Sequence, residues 1–253
     1  RAYCHLLAGG LATQDGHRPK VNAERLWAID VFDPELMRVE IQVTEHAKQE
    51  IGAVSDPRCG KPGQKLAVWN GRDLTGWKGE GDVWRVEDGH IVGRSNAALA
   101  QSALLWSDAV VRDFHLSVWV KQATGSVGGV QFRSQRLKPH LNQAKGYRAD
   151  VGPDVWGRLF HEQGRAELAR SDDGARAAKP GDWNRLEILA LGHRLWTAIN
   201  GQLTAAYEDP RGELTGFVAL ELHAGPAAEI RFRDLVVVQN PKATLAGLNE
   251  AAL

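Results

Sequence analysis

Apolar and polar residues alternate in short runs along the chain from residue 66 onward. The clearest run is FHLSVWVK at 114–121, where Phe, Leu and Val occupy every second position. A period of two is that of a strand with one buried face. Turn pairs such as Asp88-Gly89 and Asn200-Gly201 separate the runs, and Gly accepts the positive φ angles of tight hairpins. The pattern predicts about a dozen strands and hardly any helix, which indicates an all-β, two-sheet antiparallel sandwich of the jelly-roll type.

Residues 1–65 do not share this pattern. Their apolar residues are scattered, and the one clean alternation, RVEIQVT at 38–44, predicts a single strand. The stretch GKPGQK at 60–65 has the composition of a linker. We therefore expect three segments: an N-terminal extension of unknown role, either an added element or a poorly ordered arm, a β-sandwich over 66–240, and a C-terminal tail over 241–253 that frays or forms a short helix.

The charge balance argues against strongly charged partners. The chain has 31 basic and 31 acidic residues and a formal net charge of zero. It therefore offers no electrostatic reason to bind nucleic acid or an anionic membrane surface. Nine Trp residues favour a carbohydrate partner, because indole rings stack on the apolar faces of sugars, although core packing is the commoner role of any single Trp. No run reaches the length of a membrane-spanning helix.

The spacing of cysteines and carboxylates predicts no metal site. Cys4 and Cys59 are too few for structural zinc and too distant for a redox motif. They either form a disulfide, which implies an oxidising compartment, or stay as free thiols, and the sequence leaves both open. The adjacent Asp172 and Asp173 precede Gly174 and predict a hairpin turn rather than a calcium loop, because the further oxygen ligands are missing nearby.

Polar and ionisable residues concentrate in the stretch 128–165. It contains three predicted strands, VQFRSQ at 130–135, YRADV at 147–151 and RLFHEQ at 158–163. Regular alternation would bury one face of each strand and expose the other. The outward polar residues of the first two are then Gln131, Arg133, Gln135, Arg148 and Asp150, and the third strand adds His161 and Glu162. Such convergent polar chemistry indicates a binding or catalytic site rather than a folding requirement.

Eight short motifs, in this order and spacing, resemble the 3-keto-disaccharide hydrolase domain family. They are WNGRDLTGW at 69–77, WRVEDG at 84–89, GVQFRS at 129–134, GYRAD at 146–150, GDWN at 181–184, ING at 199–201, LHAGP at 222–226 and RFRDL at 231–235. The resemblance covers roughly residues 66–239. Each motif is weak alone, and their combination is specific.

The resemblance implies a concanavalin A-like lectin/glucanase sandwich that acts on glycosides whose sugar carries a ketone at carbon 3. It also implies a periplasmic or secreted location. The chain has no cofactor motif for oxidising a sugar, so a sugar 3-dehydrogenase is the expected functional partner. One departure is notable, because Glu221 stands where members of the family commonly carry Gln. This replacement changes the charge of the site.

Cleavage of a 3-keto-glycoside requires a base, an acid and a donor to the enolate, because the ketone acidifies the proton on carbon 2 and the group on carbon 1 then leaves. The expected catalytic residues are His223 or Glu162 as base, Asp150 or Glu162 as acid, and Arg133 with Gln131 as donors. The expected substrate-binding residues are Gln131, Gln135, Tyr147, Trp156 and Glu221. If their strands are neighbours, one concave face holds Gln131, Arg133, Glu221 and His223. No metal or other cofactor is assigned.

Several alternatives stay open from the sequence alone. The second hypothesis is a carbohydrate-binding module of the same fold, and the third is a two-carboxylate glycosidase that uses Asp150 and Glu162. Arg133 and Asp150 are as well explained by a structural ion pair. His223 has a structural role as its alternative, and the Tyr147 ring is more typical of a core position.

Overall fold

The computed structural model describes residues 62–79, 81–137, 142–249 and 252–253. They belong to one compact unit that spans residues 61–253. The strand expected at 38–44, the pairing of Cys4 with Cys59 and the role of the N-terminal extension lie outside the described residues.

Strands make up nearly all the regular structure of the described part. In chain order the elements are β1 (Gln64–Leu66), β2 (Trp77–Gly79), β3 (Trp84–Glu87), β4 (His90–Ser95), β5 (Ala103–Val111), β6 (Phe114–Gln122), β7 (Gly128–Arg136), β8 (Ala144–Val151), β9 (Leu159–Glu162), β10 (Ala166–Ala169), α1 (Asp173–Ala177), β11 (Asn184–Leu191), β12 (Arg194–Ile199), β13 (Gln202–Glu208), β14 (Gly216–Leu222), β15 (Ala228–Gln239), β16 (Thr244–Leu245) and β17 (Leu248–Asn249).

The strands form two large antiparallel sheets. The eight-stranded sheet has the order β13-β12-β11-β6-β15-β4-β3, with β1 paired to β15. The seven-stranded sheet has the order β10-β9-β8-β7-β14-β5-β2. Alternate side chains of both sheets, such as Phe114, Val118, Phe132 and Leu159, meet in one core and are fully buried. The prediction of an all-β, two-sheet sandwich is confirmed.

Two predicted hairpins have the backbone that their sequences require. Asp88 and Gly89 have φ angles of 50° and 72° and connect β3 to β4. Asn200 and Gly201 have φ angles of 50° and 85° and connect β12 to β13. Positive φ at both central residues is the property of a type I′ turn, whose twist matches that of the flanking strands. The predicted meander β11-β12-β13 is also confirmed.

Two local predictions are wrong. The expected hairpin turn at Asp172-Asp173 is the start of the short helix α1, with Asp172 as its N-cap residue. The Asp173 carboxylate accepts hydrogen bonds from the Ser171 hydroxyl (2.9 Å) and from Arg176, and this i,i+3 ion pair favours the helical turn. The described part of the tail, 241–249 and 252–253, contains no helix: β16 and β17 pair with each other, and Trp196 Nε1 donates to the Leu253 carbonyl (3.1 Å).

Candidate active site on the outer face of the seven-stranded sheet

Four neighbouring strands, β14, β7, β8 and β9, bring the predicted polar residues together. Their inner faces contribute to the core, so the alternate positions project from the outer face of the sheet. The register places Glu221 opposite Gly129 and Gly129 opposite Asp150, and it places Gln131 opposite Arg148. The prediction that the 128–165 stretch supplies strands of one sheet is confirmed, and the condition that the strand of Glu221 lies beside them is met.

Arg148 is the centre of this cluster. Its guanidinium donates from Nε to Asp150 Oδ1, and from Nη1 to Glu162 Oε2 and Glu221 Oε1, the last at 3.3 Å. The guanidinium also lies 4.7 Å from the centre of the Phe160 ring. The side chain is buried, so these charge-assisted bonds are shielded from water and stronger than exposed ones. Arg148 therefore fixes the relative positions of three carboxylates.

Asp150 joins a second arginine to the cluster. The carboxylate is fully buried, and its Oδ2 accepts a hydrogen bond from Arg158 Nε at 2.6 Å. The Arg158 side chain is 20% exposed, and its Nη1 lies 3.6 Å from Glu167 Oε2. Arg158 was not among the candidates from sequence. Arg158 and Glu162 are four positions apart in the predicted strand RLFHEQ, so alternation places both on the same face, and this could have identified Arg158.

His223 lies directly after β14, where its backbone N–H donates to the Val127 carbonyl at 3.0 Å. Its Nε2 lies 3.6 Å from both Asp150 Oδ1 and Glu221 Oε1, and it is buried without a hydrogen-bond partner. The side chain as a whole is 17% exposed, which leaves Nδ1 as the nitrogen available to a ligand. Burial lowers the pKa of His223, although the carboxylates of Glu221 and Asp150 oppose the shift. Burial therefore favours the neutral imidazole.

Glu162 is the most accessible carboxylate of the cluster, with a side chain 32% exposed. Burial raises its pKa above the ordinary value, and the negative charges of Glu221 and Asp150 raise it further, while Arg148 opposes them. The cluster has three carboxylates and two guanidinium groups, so one carboxylate has no full compensating charge. Its surroundings therefore favour the protonated form of Glu162.

Gln131 and Glu221 form a second, fully buried contact. Gln131 Nε2 donates to Glu221 Oε2 at 2.8 Å, and the Gln131 carbonyl oxygen accepts from the Ser134 hydroxyl at 2.9 Å. The Ser134 bond fixes the orientation of the amide, so Glu221 receives donors at both oxygens, from Gln131 and from Arg148. A carboxylate at position 221 is thus matched by its surroundings.

Arg133 lies outside the cluster, contrary to the expectation that it shares a face with Gln131. The strand is irregular here, because Arg133 has a φ of 47° and the register shifts between Phe132 and Gln135. The Arg133 guanidinium donates to the carbonyls of Arg112 and Gly192, each at 2.8 Å. Burial lowers its pKa to about 10.

The bond that Arg133 makes to a carboxylate corrects a second hypothesis. Its Nη2 lies 3.3 Å from Asp113 Oδ1, whereas Asp150 is bound by Arg148 and Arg158. The proposed Arg133–Asp150 ion pair is therefore wrong. Both oxygens of Asp150 are taken up by other guanidinium groups, and the Arg133 side chain connects turns of the sandwich instead.

Three further candidates do not line the outer face. Gln135 is exposed opposite Lys145, beyond the irregularity in β7. Tyr147 is buried, with its ring stacked on Phe132 and its hydroxyl bonded to Asp209. Trp156 is 4% exposed and belongs to the core, so it presents no open face for a sugar. The loop that follows β8 thus turns this indole inward.

Among the described residues no group of three His, Cys, Asp or Glu side chains is arranged to hold a metal ion. In the same part of the chain, no helix has the length and apolar character needed to cross a membrane.

The sequence model of the 3-keto-alpha-glucoside-1,2-lyase-like domain matches residues 65–238. The chain belongs to this family. Arg148, Asp150, Glu162, Glu221 and His223 all lie inside the matched segment. Among curated proteins no sequence match was found.

Solved structures with the same fold are distant in sequence. A candidate glycosyl hydrolase from Parabacteroides distasonis ATCC 8503 is 15% identical with a TM-score of 0.53, covering 69% of this chain and 98% of its own. The carbohydrate-binding module CBM66 from Bacillus subtilis is 17% identical with a TM-score of 0.50, covering 65% and 96%. A Bacillus subtilis protein with a galectin-like fold is 13% identical with a TM-score of 0.53, covering 70% and 94%. These similarities establish the fold, and the family membership supports a carbohydrate-related function.

Proposed function

We propose that this domain cleaves 3-keto-glycosides by elimination followed by hydration, which gives net hydrolysis. The observation that carries the proposal is that His223 and Glu162 lie on one sheet face, His223 with a lowered pKa and Glu162 with a raised pKa. Glu162 accepts a hydrogen bond from Arg148, and Arg148 also binds Glu221, which lies 3.6 Å from His223. Two titratable groups whose surroundings push them toward their neutral forms are suited to act as base and acid.

In the first step, Nδ1 of His223 removes the proton from carbon 2 of the sugar. The C2–H electron pair forms a C2–C3 double bond, and the carbonyl pair moves onto the oxygen of carbon 3 to give an enolate. This step uses the tautomer with the proton on Nε2, which lies 3.6 Å from Asp150 and Glu221, so their charges stabilise the imidazolium as it forms. This arrangement strengthens His223 as a base when substrate is bound.

In the second step, the oxygen pair re-forms the carbonyl at carbon 3, the C2–C3 double-bond pair becomes a C1–C2 double bond, and the C1–O1 bond breaks. Glu162 protonates the departing oxygen, and the products are an enone and an alcohol. Water then adds to carbon 1 of the enone, and carbon 2 takes back the proton that His223 has held since the first step. Glu162 is ionised after the first half and is therefore able to activate that water. Neither half requires an oxidant, because the ketone is restored.

A two-carboxylate glycosidase is disfavoured by the state of Asp150. Its carboxylate is fully buried and binds Arg148 and Arg158 through different oxygens, so it is not free to act on an acetal. A binding module is disfavoured by the position of Trp156, since the strongest stacking candidate belongs to the core. Neither alternative uses the protonation states of His223 and Glu162.

The proposed substrate also places the protein in a reaction sequence and a compartment. A ketone at carbon 3 arises by oxidation of a secondary alcohol, so a sugar 3-dehydrogenase is the enzyme class that supplies the substrate. Membership of the family supports a periplasmic or secreted location as part of this proposal.

The test compares a 3-keto-glucoside with its unoxidised parent. We expect release of the aglycone from the keto sugar only, with Glu162→Gln and His223→Ala each losing at least about a hundredfold in kcat/KM while remaining folded. Matched controls are Glu208→Gln in β13 and His115→Ala in β6, both in the eight-stranded sheet and away from the site. Release from the parent sugar would support a glycosidase, and binding without release would support a binding module.

A further inference from the structure

We infer that Arg158 is the group that binds the enolate oxygen and thereby selects sugars with a ketone at carbon 3. This inference rests on the proposed function and deepens it. It also fills a role that was expected of Arg133, whose guanidinium lies elsewhere in the fold.

The position of Arg158 relative to the base carries the inference. One carboxylate, Asp150, contacts His223 at Oδ1 (3.6 Å) and receives Arg158 Nε at Oδ2 (2.6 Å). Because Asp150 is fully buried and also held by Arg148, it keeps both partners at a fixed separation. In the substrate, the proton to be removed and the ketone oxygen are on adjacent carbons. A base that contacts one oxygen of a carboxylate and an oxyanion donor that binds the other are suitably placed for two groups on adjacent carbons of the sugar.

The remaining N–H groups of Arg158 are available for a substrate. Its Nε is used by Asp150, and Nη1 has an exposed carboxylate, Glu167, as its neighbour at 3.6 Å, beyond hydrogen-bond distance. The Phe160 ring centre lies 5.4 Å from the guanidinium and supports its plane. Arg148 differs, because it is more deeply buried and bonds to three carboxylates. Arg158 is thus the guanidinium of the cluster with unused donors and access to solvent.

The chemistry explains why an arginine suits this place. As His223 takes the proton from carbon 2, negative charge develops on the oxygen of carbon 3, and a guanidinium that never loses its own charge stabilises it. A sugar with a hydroxyl at carbon 3 forms no such anion, so the same contact gives it no advantage in the transition state. Loss of one oxyanion donor slows reactions by about 100–1,000-fold. Arg158 is then a catalytic residue that also determines specificity.

The decisive experiment measures enolate formation apart from bond cleavage. The probe is 3-keto-1,5-anhydroglucitol, which has no leaving group at carbon 1, and NMR in D₂O follows exchange of its carbon 2 proton for deuterium. We expect the unmodified protein to catalyse this exchange. Arg158→Ala should lose about 100–1,000-fold in exchange rate. The exchange rate of Arg158→Lys should lie between those of the unmodified protein and Arg158→Ala.

A matched control is Arg170→Ala, which removes a guanidinium 45% exposed and 3.7 Å from Glu167, and it should exchange normally. Exchange by Arg158→Ala or Arg158→Lys at the unmodified rate would overturn the role of Arg158 and leave the proposed function intact. Absence of exchange by the unmodified protein, together with absence of cleavage, would overturn the proposed function itself. Arg158→Lys retains a cation beside Asp150, so it serves as the test if Arg158→Ala fails to fold.

Discussion

Replacing Arg148 by Met tests whether one buried guanidinium holds the site together. Methionine fills a similar space along the side chain but offers no donor, so Asp150, Glu162 and Glu221 each lose a charge-assisted hydrogen bond. The three carboxylates are affected unequally. Asp150 keeps its bond to Arg158, and Glu162 is 32% exposed and gains water, whereas Glu221 keeps only Gln131 and stays buried. The main cost is therefore an uncompensated charge at Glu221.

Removing one partner of a buried ion pair costs about 3–5 kcal/mol, and the retained partners place Arg148→Met near the lower end. For a domain of this size, about 3 kcal/mol lowers Tm by about 6–12 °C. Adding Glu221→Gln removes the uncompensated charge, so the double variant should regain more than about 1 kcal/mol of the loss. A buried carboxylate that has lost its cation has a higher pKa in the folded protein than in the unfolded chain. The loss of stability in Arg148→Met should therefore become smaller as the pH falls and this carboxylate takes up a proton.

Chemical denaturation at pH 7 and pH 5 measures these free energies of unfolding for the two single variants, the double variant and the unmodified protein. Arg170→Ala is the matched control, because it removes an exposed guanidinium at the residue that follows β10 of the same sheet. A loss below about 1 kcal/mol for Arg148→Met would refute the reasoning, because it would mean that the buried carboxylates do not depend on this cation. Failure of Glu221→Gln to recover any stability would refute the assignment of the cost to Glu221.

Three further outcomes are expected. Burial lowers the pKa of His223 below 6.5 and raises that of Glu162 above 4.5. The plot of kcat/KM against pH for a 3-keto-glycoside should therefore be bell-shaped, with its maximum at mildly acidic pH, because the base must be deprotonated and the acid protonated. A maximum above pH 8 would contradict the assignment. Gly129→Ala places a methyl group 2.5 Å from the Ala149 carbonyl oxygen, so thermal melts should show destabilisation and turnover should fall; an unchanged variant would argue against this packing. Trp156→Ala should lower the free energy of unfolding, measured by chemical denaturation, by about 3–5 kcal/mol. If the folded variant instead binds sugar more weakly in calorimetry, a role for Trp156 in the core alone would be contradicted.

Sequence periodicity was sufficient for the fold because most strands obey one rule without interruption. In β6, Phe114, Leu116, Val118 and Val120 are all fully buried, as alternation requires. The same rule placed Gln131 with Arg148 and Asp150 on one face, and the motif at 222–226 supplied His223. Short polar strands in a large antiparallel sheet thus give a usable list of site candidates.

The failures come from backbone irregularities and loops, which alternation does not encode. A single residue with positive φ, Arg133, changes the course of β7, so parity counting from Gln131 gives the wrong face for the residues that follow. Trp156 lies in the loop after β8, where no period applies, and the space available in the core decides its direction. Arg158 was passed over although it begins the predicted strand at 158–163 and lies on the same face of it as Glu162; in the structure it lies one residue before β9.

Burial on the outer face of a sheet gives the site its chemical character. A charged group in such a place is costly unless it is paired, and Asp150 and Glu221 are stable there because Arg148, Arg158 and Gln131 provide donors. The same desolvation acts on His223 and Glu162, which have no such full set of partners, and it disfavours the charged form of each. Asp150 and Glu221, whose charges are paired, therefore lie beside a base and an acid, His223 and Glu162, whose neutral forms are favoured. We expect activity to depend on this contrast, so substitutions that admit water to the cluster should lower turnover even where every catalytic side chain is retained.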